Sequence, residues 1–175
     1  FDLLRTAGAD RVMSVDLHAA QTQGFFDGPV DHLIAMPVLV DYIRDRFDGH
    51  LENVTVVSPD AGRIRVAEQW AQRLGGGPLA FVHKTRDITR PNQAVANRVV
   101  GDVEGKDCVL VDDLIDTAGT IAGACSVLKD AGAKSVTVVA PHGVLSGPAI
   151  ERLTGSGPRE VVLTDTVPVP VGTAW

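Results

Sequence analysis

Apolar and polar positions alternate between two periods along most of the chain. Short apolar runs of strand length occur at Arg11–Asp16, Val54–Ser58, Leu79–His83, Asp107–Asp112, Ser135–Ala140 and Glu160–Thr164. Between several of them the period lengthens to that of a helix with one apolar face. Met36, Val40, Ile43 and Phe47 share such a face, as do Ile64, Ala67, Ala71 and Leu74. After Thr120 the set Ile121, Ala124, Cys125 and Leu128 repeats the spacing, and Gly132 is placed to stop the helix. Phe1–Arg5 also reads as helix. Strands this apolar need cover on both faces, so the pattern predicts an α/β domain with a doubly wound, mostly parallel sheet. In such sheets ligands sit beyond the carboxyl ends of the strands.

Two stretches break the alternation. Residues 19–36 have mixed polarity with Gly24, Gly28 and Pro29, and read as a linker or hairpin between two lobes. Residues 84–96 are polar, contain Pro91 and follow a strand; a loop of that length is expected to be functional or mobile, ordering when ligand arrives.

Composition narrows the function classes. The 175 residues are 45% hydrophobic and 22% charged, as in ordinary globular domains. The formal net charge of −6 argues against a nucleic-acid surface, which needs a basic stripe. No apolar run approaches a bilayer span, so no membrane partner is expected. Cys108 and Cys125 lack metal-ligand spacing and fall on apolar faces, as buried thiols of a reducing cytoplasm would. Gly75-Gly76-Gly77-Pro78-Leu79-Ala80 imitates a dinucleotide fingerprint but sits between a helix and a strand, the reverse of the required order. No Walker A sequence is present.

The strongest chemical signal is Val109-Leu110-Val111-Asp112-Asp113-Leu114-Ile115-Asp116-Thr117-Ala118-Gly119-Thr120. An apolar strand delivers two carboxylates to the sheet edge, and a turn with two threonines and a glycine opens a helix. Outward N–H groups and the partly positive helix terminus can hold a phosphate without a lysine. The paired aspartates suit the vicinal hydroxyls of a sugar, or a magnesium ion. Helix capping by Asp116 or Thr117 is the structural alternative, but it leaves the Asp112–Asp113 pair unexplained.

This segment resembles the phosphoribosyl pyrophosphate motif shared by type I phosphoribosyltransferases and ribose-phosphate pyrophosphokinases. Three further stretches resemble the pyrophosphokinases in particular. Val15-Asp16-Leu17-His18-Ala19-Ala20-Gln21-Thr22-Gln23-Gly24-Phe25-Phe26 is close to their signature, where the histidine matching His18 holds the magnesium accompanying ATP. Val56-Val57-Ser58-Pro59-Asp60-Ala61-Gly62 is similar to their metal and diphosphate loop, with Arg63 where a second glycine is usual. His83-Lys84-Thr85-Arg86-Asp87-Ile88-Thr89-Arg90-Pro91-Asn92-Gln93 matches their flexible catalytic loop, with Thr85 replacing a common arginine. Lys84, Arg86, Arg90 and Arg98 face only Asp87 there, a local cationic excess.

The resemblance extends to about Pro168, with details of an actinobacterial branch, and implies the following. Fold: type I phosphoribosyltransferase-like. Reaction: transfer of the β,γ-diphosphoryl group of ATP to the anomeric hydroxyl of ribose 5-phosphate. Arg86, Asp112, Asp113, Asp116, Thr117, Ala118, Gly119 and Thr120 would bind ribose 5-phosphate, and Lys84 and Arg86 would stabilise the transferring group. His18 and Asp60 would hold Mg2+, and Ser58, Asp60, Ala61, Gly62 and Arg63 would form the diphosphate loop. Residues 1–35 would end an amino-terminal lobe and linker, and 36–175 would be a catalytic domain cut short at its carboxyl end. The expected assembly is a cytoplasmic homohexamer. A lone half is expected to bind ribose 5-phosphate without turning over ATP. A phosphoribosyltransferase, or a non-catalytic regulatory relative, remains the competing reading.

Overall fold

The computed structural model describes residues 1–85 and 96–169, and of 84, 85, 96 and 97 the backbone alone. The strands are β1 (Val12–Val15), β2 (Val30–Leu33), β3 (Val54–Ser58), β4 (Leu79–Thr85), β5 (Ala96–Val100), β6 (Asp107–Val111), β7 (Leu114–Ile115), β8 (Ser135–Ala140), β9 (His142–Gly143) and β10 (Glu160–Leu163). The helices are α1 (Asp2–Thr6), α2 (Met36–Arg46), α3 (Ile64–Arg73), α4 (Gly119–Asp130) and α5 (Ala149–Ser156).

Six strands form the central sheet in the order β10-β8-β6-β3-β4-β5, parallel except for the β4–β5 pair. The β-branched runs of β3 and β8 are buried along their length, as a sheet covered on both faces demands. Alternate side chains divide between two cores. Val57, Cys108, Leu110, Val136 and Val138 pack with Ile121, Cys125 and Leu128 of α4 and Leu153 of α5. Val54, Val56, Val109, Val111 and Val139 pack with Leu39, Val40 and Ile43 of α2 and Ala67 and Trp70 of α3. The doubly wound expectation therefore holds. Burial pushes the thiol of Cys108 up to about 12 and that of Cys125 up to about 11, so both stay protonated inside the core.

Two glycines have conformational reasons. Gly132, at φ +84, ends the α4 segment where the apolar spacing stops. Gly101, at φ +116, follows β5 so closely that a Cβ would lie 2.7 Å from that of Ala80.

Two expectations are corrected. Residues 19–36 do not form a hairpin: a 3-10 turn over Ala20–Phe25 leads into β2, which pairs with β1 in parallel. A hairpin requires antiparallel neighbours, and the signal of β2 was hidden because its four residues carry Asp31 and His32 among the apolar ones. The polar stretch after residue 83 begins as strand, since β4 runs on to Thr85 and the chain returns as β5. Helix α5 was not anticipated. Among the described residues no helix is long and apolar enough to cross a membrane.

Candidate active site at the carboxyl edge of the sheet

Two strand-to-helix turns lie side by side at the carboxyl ends of the paired strands β3 and β6. The turn after β6 runs from Asp112 through the short β7 into α4. Asp112, Asp116, Thr117, Ala118, Gly119 and Thr120 line one open cavity of about 160 Å3 there. Ala118 adopts φ +58, a left-handed conformation that costs a residue with a Cβ roughly 1–2 kcal/mol. It is also the N-cap residue of α4 and makes no side-chain capping bond. Helix capping by Asp116 or Thr117 therefore does not account for this turn. The first N–H groups of α4 have no side-chain capping acceptor, and Gly119 and Thr120 line the cavity, as an anion site requires.

Arg152 of α5 donates from Nη1 to the Thr117 carbonyl at 2.9 Å and holds the turn from outside. Its role was not evident beforehand. The signal lay in Pro148 followed by Ala149 and Leu153 four residues apart, which mark a helix start and one buried face.

Asp112 and Asp113 are largely buried, with 13% and 15% of their side chains exposed. The Asp112 carboxyl is pushed up to about 7, first by burial and then by the neighbouring Asp113 carboxyl; the Asp113 N–H, donated to Oδ1 at 2.9 Å, and the Arg63 charge oppose this.

The turn after β3 closes on itself. Ser58 is fully buried, and its hydroxyl donates to the Asp60 carbonyl at 2.6 Å, bracing the turn from beneath. Asp60 caps the following 3-10 turn by accepting the Gly62 N–H at 2.8 Å. Arg63 then reaches across to the first turn. Its Nη2 lies 2.6 Å from Asp113 Oδ2 and 2.5 Å from His18 Nδ1, and its Nε lies 3.9 Å from Asp112 Oδ1.

His18 arrives from the far end of the sequence, with Nδ1 2.9 Å from Asp113 Oδ2 across 95 residues. The segment after β1 is fixed by two bonds: Asp16 Oδ2 accepts the Ala35 N–H at 2.8 Å, and His142 Nε2 lies 2.9 Å from the Val15 carbonyl. The backbone N–H of His142 reaches the Asp113 carbonyl at 3.3 Å, so β1 and the β6 turn share one support. A second cavity of about 290 Å3, lined by Asp16, His18, His32, Arg63, Asp112 and Asp113 among others, opens at this junction.

Lys84 sits in β4 opposite Asn97, and Ser58 at the end of β3 pairs with Phe81. The strand thus carries Lys84 about 10 Å past the end of β3. Arg86 and residues 86–95, including most of the loop expected to order on binding, lie outside the described residues.

His18 offers imidazole nitrogen at an exposed edge, and Asp60 offers carboxylate oxygen on the adjacent turn. Among the described residues no group of three His, Cys, Asp or Glu converges to hold a metal. Magnesium takes few protein ligands, keeping several waters and sharing its substrate's phosphate oxygens, and Asp60 offers the carboxylate oxygen it favours.

A family model described as the phosphoribosyl transferase domain matches residues 34–154. The chain is 88% identical over 175 residues to the ribose-phosphate pyrophosphokinase of Bifidobacterium longum, covering all of this chain and 52% of that protein. It is 61% identical over 169 residues to that of Mycobacterium tuberculosis, covering 96% of this chain and 51% of the relative. The chain thus spans about half the length of the curated relatives it matches. The phosphoribosylpyrophosphate synthetase crystal structure from Mycobacterium smegmatis superposes with a TM-score of 0.89 at 56% identity, over 99% of this chain and 55% of that one. An adenine phosphoribosyltransferase from Giardia lamblia shares the fold, with a TM-score of 0.54 at 14% identity over 74% of this chain and 79% of that one.

Proposed function

The chain belongs to the phosphoribosyl transferase domain family, and from that premise we propose that it is the catalytic half of a ribose-phosphate pyrophosphokinase. The reaction moves the β,γ-diphosphoryl group of ATP to the anomeric hydroxyl of ribose 5-phosphate, giving phosphoribosyl pyrophosphate and AMP. The observation that carries the reading past the family is the meeting of His18 with Asp113, 2.9 Å apart. A histidine brought to the sugar's carboxylates from a separate strand pair suits an enzyme that must also place a metal-bound phosphate donor beside the sugar. The 88% identity to a pyrophosphokinase supports the same choice.

The phosphate of ribose 5-phosphate binds the uncapped start of α4, received by the N–H groups and hydroxyls of residues 116–120. Asp112 and Asp113 accept from the ribose hydroxyls and hold the sugar with its anomeric oxygen toward the β3 turn. His18 and Asp60 would hold magnesium, which would supply positive charge against the donor's triphosphate. The β3 turn, Ser58 to Arg63, lies alongside the transferring group. Lys84 and Arg86 would stabilise that group as charge spreads on its oxygens, so positioning and electrostatics supply most of the rate. No covalent nucleophile is needed.

Residues 1–35 belong, in this reading, to the end of an amino-terminal lobe and its linker, and the working assembly is a cytoplasmic homohexamer. The chain alone binds ribose 5-phosphate without turning over ATP, because the positioning of the nucleotide depends on parts outside it. AMP release from ATP, dependent on ribose 5-phosphate and measured on the full-length protein, tests the function. Release of diphosphate from phosphoribosyl pyrophosphate with a nucleobase acceptor, in place of AMP release, would favour a phosphoribosyltransferase; neither activity would favour a regulatory relative.

A further inference from the structure

We propose that Arg63 is an internal counter-cation that fills the positions meant for the metal and the sugar, and that the transferring diphosphate draws it away from them. The inference rests on the functional reading above and deepens it.

Arg63 Nη2 contacts His18 Nδ1 at 2.5 Å and Asp113 Oδ2 at 2.6 Å. A guanidinium has only donors and stays protonated, so in the tautomer that accepts from Arg63 the imidazole Nδ1 offers its lone pair. Nδ1 cannot at the same time donate to Asp113, although the two atoms are 2.9 Å apart. The Arg63 side chain, 19% exposed, therefore occupies the lone pair a metal would use on this nitrogen and an oxygen that would accept a ribose hydroxyl. A nearly buried carboxylate pair needs a cation beside it when no ligand is bound, and Arg63 is placed to be that cation.

The root of the side chain makes displacement easy. Arg63 closes the turn that Asp60 caps and immediately precedes α3, so its backbone already lies on the diphosphate turn. Side-chain rotation alone can move the fork from Asp113 to phosphate oxygens, which suit it as bidentate acceptors. A metal ion arriving alone must compete with Arg63 for Nδ1. One arriving with a diphosphate gives Arg63 a new partner, so the two ligands bind cooperatively.

The test uses Mn2+ as a paramagnetic stand-in and the full chain in its Arg63→Ala, Arg63→Lys and His18→Ala variants. Electron paramagnetic resonance reads free Mn2+, and calorimetry at saturating magnesium reads inorganic diphosphate. Arg63→Ala should bind Mn2+ about tenfold more tightly than the parent and magnesium diphosphate about tenfold more weakly. Arg63→Lys, which keeps the charge without the fork and guards against a folding artefact, should fall between. A merely structural Arg63 would weaken both ligands together, and Mn2+ binding unchanged or weakened in Arg63→Ala overturns the proposal. Tighter Mn2+ with unchanged diphosphate overturns the transfer of Arg63 onto the substrate. Mn2+ binding that His18→Ala leaves intact shows that the metal assignment of the functional reading has failed, a separate result from failure of the Arg63 competition.

Discussion

The turns after β3 and β6 begin alike and end differently. Each follows a fully buried strand of the same sheet, carries aspartate in its first residues and leads toward a helix. The β6 turn leaves its helix start uncapped and keeps an open cavity, with strain at Ala118 held in place by Arg152. The β3 turn spends its polar groups on itself: Ser58 braces, Asp60 caps, and Arg63 bridges to the neighbouring carboxylates. A preformed cradle binds without rearrangement, whereas a closed one opens only when its ligand offers better partners. The difference separates a preformed cradle for the sugar's phosphate from a metal and diphosphate site that Arg63 closes.

The comparison breaks most visibly at Gly119. A Cβ there would meet only the Arg152 Nη1, at 3.5 Å, so the fold tolerates a side chain that the ligand does not. Gly119→Leu should weaken ribose 5-phosphate about a hundredfold in calorimetry, since an ångström of displacement is enough for such a loss. Its melting temperature should stay near the parent's.

Removing the outer brace has a smaller effect. Arg152→Ala should raise the KM for ribose 5-phosphate about tenfold, the worth of one charge-assisted hydrogen bond, and lower kcat less. Arg152→Lys should recover part of the loss, because an ammonium can still reach the Thr117 carbonyl.

In the β3 turn, Ser58→Ala should cost about 1 kcal/mol in denaturant unfolding, with ribose 5-phosphate affinity unchanged. A matching loss of sugar-phosphate binding would mean that the two turns are not separable.

The comparison is also sharpened through pH. The Asp112 carboxyl is raised from its ordinary 3.8 to about 7 by burial and by Asp113. Between those values the folded chain holds a proton that the unfolded chain has lost. The stability this contributes is fully present below the lower value and disappears as pH rises through the upper one. Asp112→Asn should flatten this segment of the pH–stability curve and raise the melting temperature at pH 8 relative to the parent. An unchanged slope would contradict the burial assigned to that carboxyl.

Much of this arrangement was legible in the residues. The apolar runs marked β3, β8 and the core of β6 because a covered parallel sheet writes a continuous signal. The motif from Asp112 to Thr120 was equally plain, since its chemistry and its turn are local. Less local features left little trace. β2 is four residues long with Asp31 and His32 inside it, and its parallel pairing with β1 depends on a partner 18 residues away. The bridge from Arg63 to His18 and Asp113 joins three segments, and no periodicity records such a contact. Ser58 was grouped with ligand-facing residues, yet burial turned its hydroxyl inward. Arg152 stayed hidden with the unrecognised α5.

The most direct test of the unequal turns is paired calorimetry on the full chain with and without magnesium. Ribose 5-phosphate should bind in the absence of any divalent ion, and inorganic diphosphate should bind only when magnesium is supplied. A sugar phosphate that requires the metal, or a diphosphate that binds equally well without it, would contradict the account.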